Sequence, residues 1–265
     1  MQQPSNFITT NHRGGIGNAM FKLAAAISLA KDNNINYTFS REFIRPGIDP
    51  DYSSYSTNIL RSVQFNDYLP DSYNSWTEPS FGYTPIVYEE GTNLLLDGYF
   101  QSAKYFEKNK QYVVDLFKPT QEIITSITDQ LPNISTCSSI HVRRGDYVNL
   151  PHHHPLQTVD YYRQAVEQIG EDTTYLIFSD DLQGCAELFN FLPNKLFLQS
   201  GSDWMDLYIM SLCKNNIICN STFSWWGAYL NSNIDKKVVA PTKWFGVGYA
   251  HYETSDICPS NWIKI

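Results

Sequence analysis

The chain has 265 residues, a net charge of −8 at pH 7 and 42% apolar residues. That length can bury one large core or two of ordinary size. The acidic balance excludes the basic face that nucleic acid or an anionic membrane surface demands, and the lack of an 18-residue apolar run excludes a helical membrane span.

Phe7–Thr10 reads as a strand, followed by the loop Gly14-Gly15-Ile16-Gly17-Asn18 and a helix over residues 17–31. Residues 16–30 form the one stretch resembling a signal peptide. They hold Asn18 and Lys22 behind a glycine pair and lack a basic start, so they read as a helix of the folded domain. A second short strand is expected over 36–40. Residues 45–85, rich in Pro, Asp, Ser, Asn and Tyr, read as long loops. A strand over 93–96, a helix over 102–116 and an amphipathic segment within 119–132 complete the first half.

The second half keeps a regular beat. Strand-length apolar runs at 138–142, 174–178, 195–198, 216–219 and 237–240 alternate with helix-like segments at 159–169, 182–189, 203–212 and 224–230. This spacing predicts βαβ units on a parallel sheet. The expected division is a domain over 1–133, a second over 134–245, and an extension over 246–265 that packs back on the first.

Five cysteines, Cys137, Cys185, Cys213, Cys219 and Cys258, contain no CxxC pair, and most lie in or beside apolar segments. Buried free thiols, a cytoplasmic location and no zinc site are expected. Aromatic residues make up 15% of the chain; the share fits stacking on sugars, although most of these rings must fill the core.

Polar clusters follow four of the predicted strands, and ligands of open parallel sheets bind at the carboxyl ends of strands. The first is His141-Val142-Arg143-Arg144-Gly145-Asp146. Two adjacent arginines are costly to hold together without an anion, and their planar donor forks suit phosphate. Arg143 is expected on a diphosphate, with a salt bridge equally open for Arg144. The second is Ser179-Asp180-Asp181. It could hold a divalent ion or recognise a nucleoside, and nucleoside recognition is favoured because two cations already stand by; one aspartate should also cap the helix at Leu182. The third is Asn220-Ser221-Thr222 with Ser224, whose hydroxyls and backbone could meet phosphate or cap the helix carrying Trp225 and Trp226. The fourth is the glycine loop, where small residues open a helix N-terminus to a ligand. The run His152-His153-His154, flanked by prolines, reads as a mobile loop and not as a metal site.

Together Gly14-Gly15-Ile16-Gly17-Asn18-Ala19-Met20-Phe21, His141-Val142-Arg143-Arg144-Gly145-Asp146-Tyr147, Phe178-Ser179-Asp180-Asp181 and Ser221-Thr222-Phe223-Ser224-Trp225-Trp226-Gly227-Ala228 resemble the alpha-1,2-fucosyltransferases of glycosyltransferase family 11. Gly98-Tyr99-Phe100-Gln101-Ser102 is similar to that family's mid-chain signature, and Ala19 departs from its usual Gln.

The resemblance implies an α/β fold of the GT-B type, two Rossmann-like domains with parallel sheets facing each other across a cleft. It implies GDP-fucose as donor, a galactose-terminated glycan as acceptor, inversion at the anomeric carbon, and no metal or other cofactor. Arg143, Arg144 and Asn18 would carry catalysis. The donor would meet His141, Asp146, Gly15, Gly17, Asp180, Asp181, Ser221, Thr222 and Ser224, with His141 on the guanosine and Asp180 or Asp181 on the guanine edge. The general base is left open between Asp97 and Glu42, and Tyr99 and Gln101 fall on the acceptor side.

Overall fold

The apolar runs of the chain form parallel strands, gathered into one main sheet in each of two units. The computed structural model describes residues 6–45, 49, 52–69 and 72–265. The first unit is Met1–Lys118 with Tyr252–Pro259, and the second is Pro119–His251 with Ser260–Ile265.

In the first unit β1 (Phe7–Thr10) leads into α1 (Ile16–Asp32), followed by β2 (Asn36–Tyr37), β3 (Phe39–Ser40), α2 (Tyr52–Ser56), β4 (Phe65–Asn66), β5 (Asn74–Thr77), β6 (Leu94–Asp97) and α3 (Lys110–Phe117). The main sheet runs β2-β1-β6-β5, and β3 pairs separately with β4; the ladders are parallel. Helix α1 is buried on nearly every side through Ile16, Met20, Phe21, Leu23 and its alanines, as a helix at the centre of a core must be.

Three expectations for this unit change. The single strand over 36–40 divides at Thr38, whose N–H bonds Ile8 O at 3.1 Å, so its halves join different sheets. The helix over 102–116 begins as 3-10 turns at Ala103–Tyr105 and Glu107–Asn109; Ser102 Oγ caps the first by accepting the Lys104 N–H, and Phe106, at φ −136°, leaves the helical region between them. The loops over 45–85 contain α2, β4 and β5; residues 46–48, 50, 51, 70 and 71 of that stretch lie outside the described residues.

In the second unit α4 (Gln121–Gln130) precedes β7 (Ser138–Val142), α5 (Val159–Ile169), β8 (Tyr175–Ser179), α6 (Leu182–Cys185), β9 (Lys195–Leu198), α7 (Asp203–Leu212), β10 (Asn215–Ile217), α8 (Thr222–Leu230), β11 (Val238–Ala240) and β12 (Ile263–Lys264). The sheet order is β12-β11-β10-β7-β8-β9, parallel throughout. Every residue of β7 is buried, as expected of a central parallel strand covered on both faces. Alternation sends Ile140 and Val142 into a cluster with Tyr162 and Val166 of α5, while Ser139 and His141 take the opposite face. The buried serines are satisfied across the ladder: Asn215 Nδ2 donates to Ser138 Oγ at 3.2 Å and Asn216 Nδ2 to Ser139 Oγ at 2.8 Å.

The division by contacts falls after Lys118, not after residue 133, because α4 belongs with the second sheet's unit. Of the extension, Tyr252–Pro259 belongs to the first unit. There Tyr252 stacks on Phe81 at 5.0 Å, and Asp256 pairs with Lys104 and accepts the Tyr83 N–H. The last residues return to the second sheet as β12. All five cysteines are free and buried, and Trp225 and Trp226 are fully enclosed.

Candidate active site

The second unit gathers its polar motifs at the carboxyl ends of β7 and β8, which are neighbours in register (Val142 opposite Ser179). The chain leaves β7 at Arg143. Its Nη2 donates to Asp146 Oδ1 at 2.7 Å and its Nη1 reaches Asp180 Oδ2 at 2.8 Å. Arg144 donates its backbone N–H to Asp180 Oδ1 and its Nε to Asp181 Oδ2, both at 2.8 Å. The terminal nitrogens of Arg144 have no partner among the described residues, so its fork remains available to a ligand oxygen.

Asp180 and Asp181 thus hold the arginines. Asp180 binds both successive residues, and Asp181 also accepts the Gly184 N–H at 2.8 Å as the cap of α6. The Arg144 hydrogen bond, helped by that N–H, holds the Asp181 carboxyl below its ordinary value. Gly145 and Gly184 are dictated by this packing. A Cβ at Gly145 would stand 2.4 Å from Asp180 Oδ2, and one at Gly184 2.0 Å from Asp181 Oδ2.

His141 is only 5% exposed, which confines any guanosine contact to that small surface. Its Nδ1 lies 3.2 Å from Cys219 Sγ and its ring packs on Phe223. Burial, with Arg143 beside it, holds its pKa down at about 3, so the ring is neutral. Ser224 is fully buried and donates to Ser221 O at 3.1 Å, Ser221 is 7% exposed at the cap of α8, and Thr222, which opens the helix, is half-buried. Asn220 is a structural clamp. It donates to Pro155 O and Trp244 O and accepts from Gln157 Nε2.

The histidine run is fastened, contrary to the mobile loop expected. Gly246 N–H bonds His153 O at 2.8 Å and Gly248 N–H bonds His152 O at 2.9 Å. His154 stacks on Tyr147 at 4.6 Å, and Tyr147 in turn donates to Asn220 O. A Cβ on Gly246 would meet His152 O at 2.2 Å, so this seam admits no side chain.

The first unit carries a separate polar cluster at the ends of β1 and β6. Gly14 has φ +102°, a conformation that favours glycine, and its N–H bonds Asp49, which Arg45 grips through its backbone N–H and two side-chain nitrogens. Gly15 caps α1 without a side chain, and Gly17 is buried in its first turn. Asn18 accepts from Gln101 Nε2 at 3.0 Å. Asp97 ends β6 and is exposed, and Tyr99, 48% exposed, has the Lys22 ammonium 5.2 Å from its ring centre. Glu42 stands apart on the 3-10 turn Arg41–Phe43, where Ser40 Oγ donates to it and accepts its N–H.

Two residues of this cluster escaped the sequence reading. Lys22 is 8% exposed, and burial, offset in part by Asp97 and Asp49, holds its ammonium below the usual lysine value. Its spacing four residues after Asn18, on the same helix face, was the available signal. Glu78 accepts the N–H groups of Tyr99 and Phe100 and the Tyr105 hydroxyl, and burial raises its carboxyl. It follows a short polar strand with no apolar pattern to mark it.

Among known proteins, the model of Glycosyl transferase family 11 matches residues 1–265. The chain is 34% identical over 186 residues to the O-antigen biosynthesis glycosyltransferase WbnK of Escherichia coli, an overlap of 64% of this chain and 60% of that one. It is 26% identical to the alpha-1,2-colitosyltransferase of Escherichia coli over 95% of this chain and 96% of that one. With human galactoside alpha-(1,2)-fucosyltransferase 1 it shares 23% identity, covering 84% of this chain and 65% of the human protein. The chain therefore spans less than two thirds of WbnK and of the human enzyme, and almost all of the colitosyltransferase. Among solved structures, the fucosyltransferase NodZ from Bradyrhizobium superposes with a TM-score of 0.57 at 13% identity, covering 85% of this chain and 92% of that one. The fold is thus of the GT-B class, with two Rossmann-like α/β units.

Proposed function

The chain belongs to glycosyltransferase family 11, and from that membership we propose that it transfers L-fucose from GDP-fucose to the 2-hydroxyl of a galactoside, with inversion and without a metal. The observation that carries the reading is the arginine pair after β7. Three carboxylates fix it, yet the terminal nitrogens of Arg144 stay unengaged among the described residues. Such a fork matches the oxygens of a diphosphate.

In the proposed reaction the acceptor oxygen attacks fucose C1 opposite the GDP. The bond from C1 to the β-phosphate oxygen breaks, its electron pair leaves with GDP, and the acceptor proton passes to a base. The transition state resembles the oxocarbenium ion of glycoside hydrolysis. The arginines stabilise charge that grows only as the bond breaks, so their effect falls on the barrier. Two fixed cations supply what a divalent ion would otherwise give the leaving group. Ser221 and Thr222 at the start of α8 add donors for phosphate. In the first unit Asn18 is assigned a role toward the sugar and Tyr99 a stacking face for the acceptor. Asp97 is the better of the two base candidates, because Glu42 is occupied with Ser40.

A second reading, transfer of another deoxysugar, is favoured by the colitosyltransferase likeness over nearly the whole chain. Product analysis separates the two. GDP-fucose and lactose should yield a trisaccharide whose fucose is alpha-linked to galactose O2, read by NMR. Fucose attached at another position would overturn the linkage, and turnover of only another GDP-deoxysugar would overturn the donor.

A further inference from the structure

After β6 the chain makes a turn that is fixed on every side. Phe100 has φ +53°, rarely adopted by a bulky residue. It is held there by Glu78, which accepts the Tyr99 N–H at 2.8 Å and the Phe100 N–H at 3.1 Å. Tyr105 donates to the other Glu78 oxygen, and the Phe100 ring is fully enclosed between Trp76 and Tyr105. Gly98 is required as well, since a Cβ there would lie 2.5 Å from Glu78 Cβ. Backbone strain held this firmly marks a functional position more often than an accident of packing.

What the turn delivers is Gln101. The residue is 5% exposed, and its Nε2 is committed to Asn18 Oδ1 at the first turn of α1. Its Oε1 is buried and has no hydrogen-bond partner among the described residues. A buried acceptor without a donor is costly, and such groups call for an explanation. A carbonyl oxygen can only accept, so the missing group is a donor. With Asn18 already assigned toward a sugar, that donor is an O–H.

We infer that Gln101 is a specificity-determining residue whose Oε1 accepts a pyranose hydroxyl. The inference rests on the sugar-transfer reading above and deepens it. A site built to bond a hydroxyl rejects the analogue that lacks it, because its own polar atom is then stranded. The hydroxyl comes either from the donor sugar or from the acceptor.

The test compares wild type with Gln101→Met, which keeps length and volume but removes Oε1 together with the Nε2 bond to Asn18, and with Gln101→Glu, which loses that bond but keeps an accepting oxygen; an effect belongs to Oε1 where Gln101→Met shows it and Gln101→Glu does not. Calorimetry reads affinity for GDP and for GDP-fucose, and steady-state kinetics read KM for lactose. GDP affinity should be equal in wild type and Gln101→Met. If the hydroxyl is fucose's, affinity for GDP-fucose alone should fall about tenfold; if it is the acceptor's, KM for lactose alone should rise about tenfold. A purely structural glutamine would weaken GDP and GDP-fucose together, and that result overturns the inference. So does an active wild type that Gln101→Met matches on all three counts. A wild type that neither binds nor turns over GDP-fucose overturns the sugar-transfer reading and this inference with it.

Discussion

Arg143→Ala is expected to lower turnover about 10²–10³-fold, the cost of removing one preorganised donor from a charge that develops in the transition state. Arg143 is the keystone of its cluster. Its two terminal nitrogens join Asp146 and Asp180, and Asp180 in turn fixes the backbone of Arg144. Removing it deletes one cation and loosens the aim of the second. The fold should survive, because the side chain is 37% exposed, Asp146 is 57% exposed and so solvated, and Asp180, 26% exposed, keeps the Arg144 N–H. Arg143→Lys should recover part of the loss, since it restores charge but not the planar fork. Kinetics beside a thermal melt check this, and wild-type turnover in Arg143→Ala would remove the phosphate assignment.

Stability should fall steeply as pH drops from about 6.5 toward 4. Burial holds the pKa of His12 down to about 4 and that of His141 down to about 3. His12 is fully enclosed by Phe39, Phe43, Tyr52 and Phe65. Both folded values lie below the unfolded value near 6.5, so below that pH the unfolded chain takes up protons first. The contribution is therefore complete above 6.5 and is lost on descending through the folded values. At pH 5 the two histidines together should cost about 4 kcal/mol, a large part of a typical domain's stability. Asp181, with a lowered carboxyl, loses its contribution only below about pH 4, the unfolded carboxylate range, which separates the windows. The carboxyls of Glu78 and Asp206, raised by burial, act in the opposite direction and soften the slope. Denaturant titrations at pH 7 and pH 5 read the effect, and His12→Phe should flatten about half of it. Equal stability at the two pH values would contradict this account.

The second unit was legible because its inner strands β7, β8, β10 and β11 are buried and its helices follow at regular spacing. Val159–Ile169 and Asp203–Leu212 fell where the apolar period put them. The first unit was less so for local reasons. Strand β5 is Asn-Ser-Trp-Thr at a sheet edge, largely exposed, and carries no apolar pattern to find. The site was legible in residue type but not in pairing. The arginines, aspartates and glycines announced themselves as a polar cluster at strand ends. That Asp180 would bind two consecutive residues, or that Gly145 must be bare to admit it, depends on the register of β7 against β8, which alternation alone does not specify. The inward face that α8 gives Ser224, two residues on from Thr222, depends on the rotation of the helix, which the local sequence does not mark.

The measurement that tests the central claim most directly is GDP release from GDP-fucose with and without lactose, in EDTA throughout. The arginine pair as sole cationic support for the leaving group predicts acceptor-dependent release undiminished by chelator. Release that appears only when Mn²⁺ is added would contradict it, and would return Asp180 and Asp181 to the role of metal ligands.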